Sequence, residues 1–520
     1  MALRLLPIGV QDFEKIRTND FVYVDKTDLI YRLTHSGGGA FFLSRPRRFG
    51  KSLLCTTLRY YFEGRRELFN GLAIDKLETE WKKYPVLHFD MSECKENDAD
   101  LVKAQLDMLL SQYERLYRLD SAPLSFGGRL KRLIETASEL TGNQVVLIFD
   151  EYDSPLLNVI SDRDKMEEIR SVFNLFYVPV KSMDKYLRFV FITGITKFSQ
   201  MSIFSTINNL RNISMDKQWE TICGITQSEL EDNFEERLQA LGEDKCWSRE
   251  QTMAELRDNY DGYHFGPALT DIYNPFSILN ALDDLELNDY WFNSATPSSL
   301  IATLRHYPVT LTDFDGMKVP QGGFDQPFDN FSSAVPILYQ SGYLTIKDYN
   351  PALKLYTLGI PNGEVRRGLF FPLTQHYLGK DNMTTNRFVA DIKLAVYDDR
   401  IDIVLERLKD YLSALPHHLS NKTHRDAETM LRLFFDGLGA NIETEVQSAI
   451  GRCDIVLKND KTIYLIELKM PSYGTVDSAL SQIDEKNYLA PYRDDPRRKV
   501  KVGLVFDPET RTIRDWKTAE

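Results

Sequence analysis

A chain of 520 residues is too long for one hydrophobic core, so two to four domains are expected. With 43% hydrophobic and 27% charged residues it has the make-up of a soluble globular protein. Its net charge of -13 excludes a uniformly basic nucleic-acid coat but not a local basic groove, because phosphate contacts depend on local charge. The five cysteines, Cys55, Cys94, Cys223, Cys246 and Cys453, are scattered with no Cys-x-x-Cys pair. They read as reduced cytoplasmic thiols rather than a disulfide frame or a zinc site. The opening run Met1–Pro7 is too short for a signal peptide, and no apolar run reaches membrane-spanning length, so no membrane partner is expected.

Phe21-Val22-Tyr23-Val24 precedes an amphipathic run from Asp28 to Leu33. Tyr23 or Phe21 could line a nucleotide-base pocket, and both also suit an apolar anchor of a leading strand or turn. Phe41 to Ser44 is an apolar strand that enters the basic turn Arg45-Pro46-Arg47-Arg48-Phe49-Gly50, followed by Lys51-Ser52. Leu53, Leu54, Leu58, Tyr61 and Phe62 keep helical spacing, so the turn opens a helix whose N-terminus attracts anions. Gly50 lets the backbone curl, Lys51 suits terminal phosphate oxygens and the Ser52 hydroxyl suits Mg2+. Arg45 stands where the pattern G-x-x-x-x-G-K-[ST] has its first glycine, and a bare Gly-Lys-Ser also fits an ordinary surface turn.

Tyr84 to Asp90 reads as a core strand, with His88 as a satisfied core or edge histidine, and residues 97–141 are helical in period. Gln144 to Phe149 is a buried parallel strand that delivers Asp150 and Glu151 at its C-terminal edge. Beside a phosphate loop, Asp150 would orient Mg2+ and Glu151 would polarise the attacking water; a strand ending in a solvated acidic turn is the plain alternative. Leu187 to Ile192 is a further buried strand, with Thr193 at its end as a candidate sensor of the terminal phosphate. Arg188, Lys197 and Arg211 are candidates for transition-state charge or for ordinary ion pairs. This alternation of strand and helix predicts an open α/β sheet with its ligand at the carboxyl edge.

Residues 225–300 are helical by pattern, and Tyr263 and His264 there either close on a nucleotide or simply pack. Residues 308–330 are rich in Gly, Pro, Asp and Phe and read as an irregular loop. Val335 to Ile346 predicts helix, turn and strand, with Leu353–Leu358 as hairpin partner: a winged-helix-like module without a Lys/Arg stripe, better suited to scaffolding. Residues 365–415 are helical, and His417-His418 reads as linker. Beyond them, Thr429–Phe435 is an apolar helix, Asp454–Leu457 a strand, Asn459-Asp460 a hairpin turn and Thr462–Lys469 the answering strand. Side chains two apart on a strand share a face, so Glu467 and Lys469 point together. Asp454 and Glu467 suit a hard Mg2+ or Mn2+ with open water positions, and Lys469 suits an attacking water or an anionic transition state. A salt-bridged Glu467–Lys469 pair on an exposed sheet face is the plain alternative.

Val24-Asp25-Lys26-Thr27, Ser44 to Ser52, Phe149 to Asp153, Tyr260-Asp261-Gly262-Tyr263 and Tyr273-Asn274-Pro275-Phe276-Ser277 together resemble a known domain. It is the AAA-ATPase-like domain of a widespread bacterial group that pairs it with a C-terminal PD-(D/E)XK nuclease-like domain. Gly451-Arg452-Cys453-Asp454, Glu467-Leu468-Lys469 and the trailing Gln482 resemble that nuclease core, with Gln482 on a helix from Ser478 to Tyr488 whose Lys486 and Tyr488 match the same signature. Glu428 is the nearest candidate for a further metal ligand on the preceding helix.

The resemblance implies an α/β protein with four regions. They are an AAA-like P-loop NTPase domain with a parallel sheet (1–225), a helical lid and winged-helix-like region (226–350), a helical linker (351–418) and a restriction-endonuclease-like domain (419–520). It implies that Arg47, Arg48, Phe49, Gly50, Lys51, Ser52, Asp150 and Thr193 bind ATP, and that Ser52, Asp150, Asp454 and Glu467 hold metal. Glu151, Asp454, Glu467, Lys469 and Gln482 would be catalytic. The implied cofactors are ATP and Mg2+, with Mn2+ as an alternative at the nuclease site. The implied partner is nucleic acid, DNA rather than RNA, and the implied activity is ATP-linked cleavage in cytoplasmic defence against foreign DNA. An ATP-gated regulator, or a module that binds nucleic acid or protein through an inactive nuclease fold, is the alternative. Motor-type ATPases often form rings, which leaves a homo-oligomer open.

Overall fold

Five short apolar strands build the first sheet: β1 (Ala40–Ser44), β2 (Val86–Asp90), β3 (Val145–Asp150), β4 (Leu187–Gly194) and β5 (Leu210–Asn212). All are parallel, in the order β2-β3-β4-β1-β5. They belong to a computed structural model that describes residues 4–94, 96–120, 124–159, 162–197, 210–294, 316–326, 333–369, 382–413, 431, 441–447, 452–459, 461–510 and 512–520. β3 is buried along its whole length, as its unbroken run Val-Val-Leu-Ile-Phe-Asp requires of a strand covered on both faces. On one face Phe42, Leu87, Phe149 and Ile192 pack with Leu106, Leu133, Ile134 and Phe173 from the helices Ala99–Leu116, Phe126–Thr141 and Arg163–Tyr177. On the other, Phe189 meets Phe41 at 5.4 Å and Phe62 of the helix Lys51–Phe62 at 5.0 Å, ring centre to ring centre. The expected helical stretch 97–141 is two helices, capped by Asp98 and Ser125 accepting from main-chain N–H groups.

The chain divides into two compact units, Met1–Trp291 with Lys318–Asn362, and Phe292–Met317 with Gly363–Glu520. In the first, a second core joins the helices Gln227–Lys245, Arg249–Tyr260 and Pro275–Asp284 through Leu230, Leu238, Leu256 and Leu282. The paired strands β6 (Ile225–Thr226) and β7 (Ile272–Tyr273) sit beside it. Residues 308–330 are not all loop: β8 (Met317–Pro320) forms a sheet of order β8-β10-β9 with the hairpin β9 (Thr345–Asn350) and β10 (Leu355–Gly359). The preceding helix Val335–Ser341 ends at Gly342, whose φ of 91° favours glycine and whose missing Cβ would lie 2.7 Å from Pro46 of the basic turn.

In the second unit β11 (Asn441–Gln447), β12 (Arg452–Lys458), β13 (Thr462–Lys469), β14 (Arg498–Asp507) and β15 (Thr512–Ala519) lie in sequence order. All neighbours are antiparallel except β13 and β14. That parallel step needs a crossover, and the helix Val476–Glu485 lies within it. Asn459 makes the expected hairpin turn, its side chain accepting from Lys461 and Thr462 main-chain N–H groups at 2.9 and 2.6 Å. The helix Ile401–Ser413 lies along β15, with Thr512 Oγ1 donating to Lys409 O at 2.8 Å. His417, His418, Glu428 and Gly451 fall outside the described residues, as do the side chains of Glu445 and Arg452. Among the described residues no helix is long and apolar enough to cross a membrane.

Candidate functional sites

The first site forms where β1, β3 and β4 end side by side. After Ser44 the chain turns through Arg48 (φ 68°) and Gly50 (φ 88°), and Gly50 is the N-cap of the helix Lys51–Phe62. No side chain caps that helix among the described residues, so its first turn presents main-chain donors with the positive end of the helix dipole. Lys51 is 5% exposed, and its ammonium donates to the main-chain oxygens of Arg45 and Pro46, both at 2.9 Å. Burial pulls its pKa below the usual lysine range, against the fields of Glu151, Asp150 and Asp153.

Asp150 is 2% exposed at the end of β3, with its Oδ1 accepting from Glu151 N at 2.9 Å. Burial lifts its pKa to about 6; the nearby Ser52 hydroxyl and Lys51 oppose that shift, and Asp90 and Glu151 add to it. Asp90 ends β2 in register with Asp150, a third carboxylate at this edge that sequence reasoning missed. Its signal was available, since Tyr84–Asp90 ends as Gln144–Asp150 does. Glu151 follows in the left-handed region at φ 47°, half-buried.

Asp153, also missed, is buried and clamps the end of β4. Its Oδ2 accepts from Ile195 N at 3.0 Å, Thr196 N at 2.6 Å and Thr196 Oγ1 at 2.7 Å. Gly194 permits that approach, because a Cβ there would sit 2.3 Å from Asp153 Oδ1. Thr193 donates its hydroxyl to Leu43 O at 2.8 Å, tying β4 to β1.

Arg45 has a structural task. Its fully buried guanidinium lies 4.2 Å over the Phe265 ring and donates to Ser214 O at 2.7 Å and Trp219 O at 3.1 Å. The arginine at the first-glycine position thus braces the segment around 214–219 rather than facing phosphate. Phe49 turns into the core, edge-on to Tyr263 at 4.8 Å and Phe265 at 5.2 Å, so its main chain alone is placed to serve a ligand. Arg47 and Arg48 are exposed, with Arg48 over the Phe276 ring at 4.7 Å and Arg47 O accepting from Trp291 Nε1 at 3.0 Å.

The other candidate cations are engaged elsewhere. Arg188 donates to Thr34 O at 3.0 Å, Lys197 pairs with Asp325 and Arg211 pairs with Asp216. His264 packs between Ile346 O at 2.6 Å and Asp271 at 2.7 Å. An apolar recess opens beside Gly50, walled by Tyr23, Lys26, Leu53, Ile222, Phe234 and Leu279. Tyr23, not Phe21, lines it. His88 departs from the satisfied histidine expected: its Nε2 is buried without a hydrogen-bond partner among the described residues, and burial with Arg59 lowers its pKa to about 4.

The second site lies on β12, β13 and the crossover helix. Asp454 Oδ2 accepts from Leu468 N at 2.8 Å, which lays the aspartate against β13 beside Glu467. Glu467 is 2% exposed, and its Oε1 accepts from Lys469 Nζ at 2.9 Å and from Gln482 Nε2. Lys469 also donates to Gln482 Oε1 at 2.6 Å, and Gln482 Nε2 donates to Tyr488 Oη at 3.2 Å. Burial, together with Glu467 and Asp454, raises the pKa values of the Cys453 thiol and the Tyr488 hydroxyl, as a shared pocket of negative charge requires. The helix differs from expectation in its limits: Thr475 caps it in a capping box with Ser478, and it ends at Glu485, so Tyr488 reaches back from the following turn. Gly503 lets the helix close on β14, because a Cβ there would lie 2.3 Å from Val476 O.

Both sites suit the groups expected of them. Ser52 and Asp150 lie near each other beside a buried lysine at a helix N-terminus, the donor set for a nucleotide phosphate and its Mg2+. Asp454 and Glu467 offer hard oxygen donors, with a lysine alongside.

A family model described as predicted AAA-ATPase matches residues 7–204, and one described as PD-(D/E)XK nuclease superfamily matches residues 427–516. The chain is 30% identical over 527 residues to an uncharacterized protein in the vnfD 5′ region of Azotobacter chroococcum mcd 1, an alignment covering 99% of this chain and 98% of that one. Taken with the two sheets and the residues at their edges, these matches show that the chain belongs to the family of predicted AAA-ATPases carrying a C-terminal domain of the PD-(D/E)XK nuclease superfamily.

Proposed function

We propose that this protein is an ATP-dependent or ATP-regulated nuclease that cuts phosphodiester bonds in DNA, rather than RNA, with a divalent metal, in cytoplasmic defence against foreign DNA. The observation that carries the reading is the convergence of Asp454, Lys469 and Gln482, each partly exposed, on the buried Glu467 from three elements. A salt-bridged surface pair would not need Glu467 buried or a glutamine from a crossover helix.

Asp454 and Glu467 would hold Mg2+ or Mn2+, which supplies Lewis acidity toward the phosphate and toward water. Lys469, held by Glu467 and Gln482, positions a water or meets the anionic transition state. At the other site Gly50 and the helix N-terminus receive the phosphates and Lys51 exchanges its two carbonyl partners for phosphate oxygens. Ser52 and Asp150 would hold Mg2+, which offsets phosphate charge, and Glu151 orients water. The recess lined by Tyr23 and Leu53 takes the base.

The test is incubation of plasmid, linear and single-stranded DNA, and of RNA, with Mg2+ or Mn2+, with and without ATP. Cleavage that disappears in Asp454→Ala while ATP binding persists supports the reading. DNA binding without cleavage in either metal, wild type and variant alike, would replace it with an ATP-gated binding module.

A further inference from the structure

Beside the nucleotide site lies a cluster that shares Asp150 with it and adds two side chains that ATP chemistry does not use. Cys55 on the helix Lys51–Phe62, His88 on β2 and Asp150 on β3 each bring one ligand-capable atom within 4.8 Å of the other two. The thiol is fully buried. His88 Nε2 is enclosed and has no hydrogen-bond partner among the described residues, although buried polar atoms are rarely left so. Arg59, the nearby cation, is occupied by Glu63 Oε1 at 2.8 Å.

Sulfur, imidazole nitrogen and carboxylate oxygen in one place are the donors that select Zn2+ and its relatives over Mg2+, which takes oxygen. A thiolate and a carboxylate also balance the two charges of such a cation. The scattered cysteines gave no sign of this, because the three residues are brought together only by the pairing of β2 with β3 under the helix.

We propose that Cys55, His88 and Asp150 form a binding site for a thiophilic divalent cation of the Zn2+ class, and that its occupancy draws Asp150 away from Mg2+ and inhibits ATP hydrolysis. On binding, the Cys55 S–H bond breaks, its proton goes to solvent, a sulfur–metal bond replaces it and the cation sheds waters; no electron is transferred. The inhibition rests on the role of Asp150 proposed above, whereas the binding does not.

The probe is Co2+ titrated into the full-length reduced chain, read by the thiolate-to-cobalt charge-transfer absorption and its displacement by Zn2+. A saturable band is expected in wild type, absent in Cys55→Ala, weakened about tenfold or more in His88→Gln, and kept in Cys94→Ala, Cys223→Ala, Cys246→Ala and Cys453→Ala. Circular dichroism checks that each variant is folded. No band in folded wild type, or an unchanged band in Cys55→Ala, would overturn the site. In the hydrolysis assay with excess Mg2+, Zn2+ should slow wild type and leave Cys55→Ala at its own zinc-free rate. A Co2+ band with ATP hydrolysis untouched by Zn2+ overturns the inhibition alone. A band with no hydrolysis under any condition counts against the ATPase reading and leaves the metal site standing.

Discussion

Lys469 Nζ lies 2.6 Å from Gln482 Oε1, a bond between a strand end and the helix that follows it. Gln482 also donates to Glu467, so one amide sets the direction of both the cation and the carboxylate. Gln482→Ala should leave the fold and DNA affinity in place and lower metal-dependent cleavage by roughly 10- to 100-fold, as loss of a supporting partner does at metal sites. Single-turnover cleavage beside a DNA-binding isotherm checks it, and an unchanged cleavage rate would remove Gln482 from the site.

Gly503 tests the same geometry from behind. Gly503→Ala puts a Cβ 2.3 Å from Val476 O, so the helix carrying Gln482 must shift. The expected outcome is a loss of about 1–3 kcal/mol in stability of the C-terminal unit, with cleavage falling further than folding explains. Thermal melts compared with cleavage at a temperature where the variant is folded give the answer.

Arg45→Gly would restore the glycine of the common phosphate-loop pattern, yet it should not improve nucleotide binding. It removes a buried guanidinium that bonds Ser214 O and Trp219 O, and a charged hydrogen bond is worth about 1.5–3 kcal/mol. A loss of several kcal/mol is expected, and Arg45→Lys should fail to rescue it, since an ammonium lacks the planar fork over Phe265. Chemical denaturation of the three proteins decides, and a stability equal to wild type in either variant contradicts the brace.

Asp150 gives a pH dependence with a definite sign. Its pKa rises from 3.8 to about 6 in the folded chain, so the folded state holds a proton the unfolded state has released. Its contribution is fullest below pH 3.8 and is lost as pH climbs through about 6. Metal-free Asp150→Asn, which carries no charge to desolvate, should therefore be more stable than wild type at pH 8, by on the order of 3 kcal/mol, with the difference closing toward pH 4. Melting curves in chelator across that range measure it.

Lys51→Ala should abolish binding of a fluorescent ATP analogue while DNA cleavage without ATP, if any is seen in wild type, persists unchanged. Equal nucleotide affinity in the variant would mean that the helix N-terminus alone holds the phosphates.

Local pattern sufficed for much of this. The strand Phe41–Ser44 running into Gly50-Lys51-Ser52, the acidic end of Val145–Asp150 and the spacing of Glu467 and Lys469 are short-range features, and periodicity and turn chemistry expose them in one dimension. What needed three dimensions was every relationship between distant segments. That Arg45 braces residues near 214, that Asp153 clamps Thr196 and that Tyr23 walls the recess by Gly50 follow from strand order and burial, which leave no periodic trace. The buried His88 nitrogen makes the point most sharply: on its strand it alternates like any core residue, and only the register of β2 against β3 puts it beside Cys55 and Asp150. A sequence names the groups that can do chemistry; packing decides which of them meet, because desolvation and hydrogen bonding act on neighbours in space.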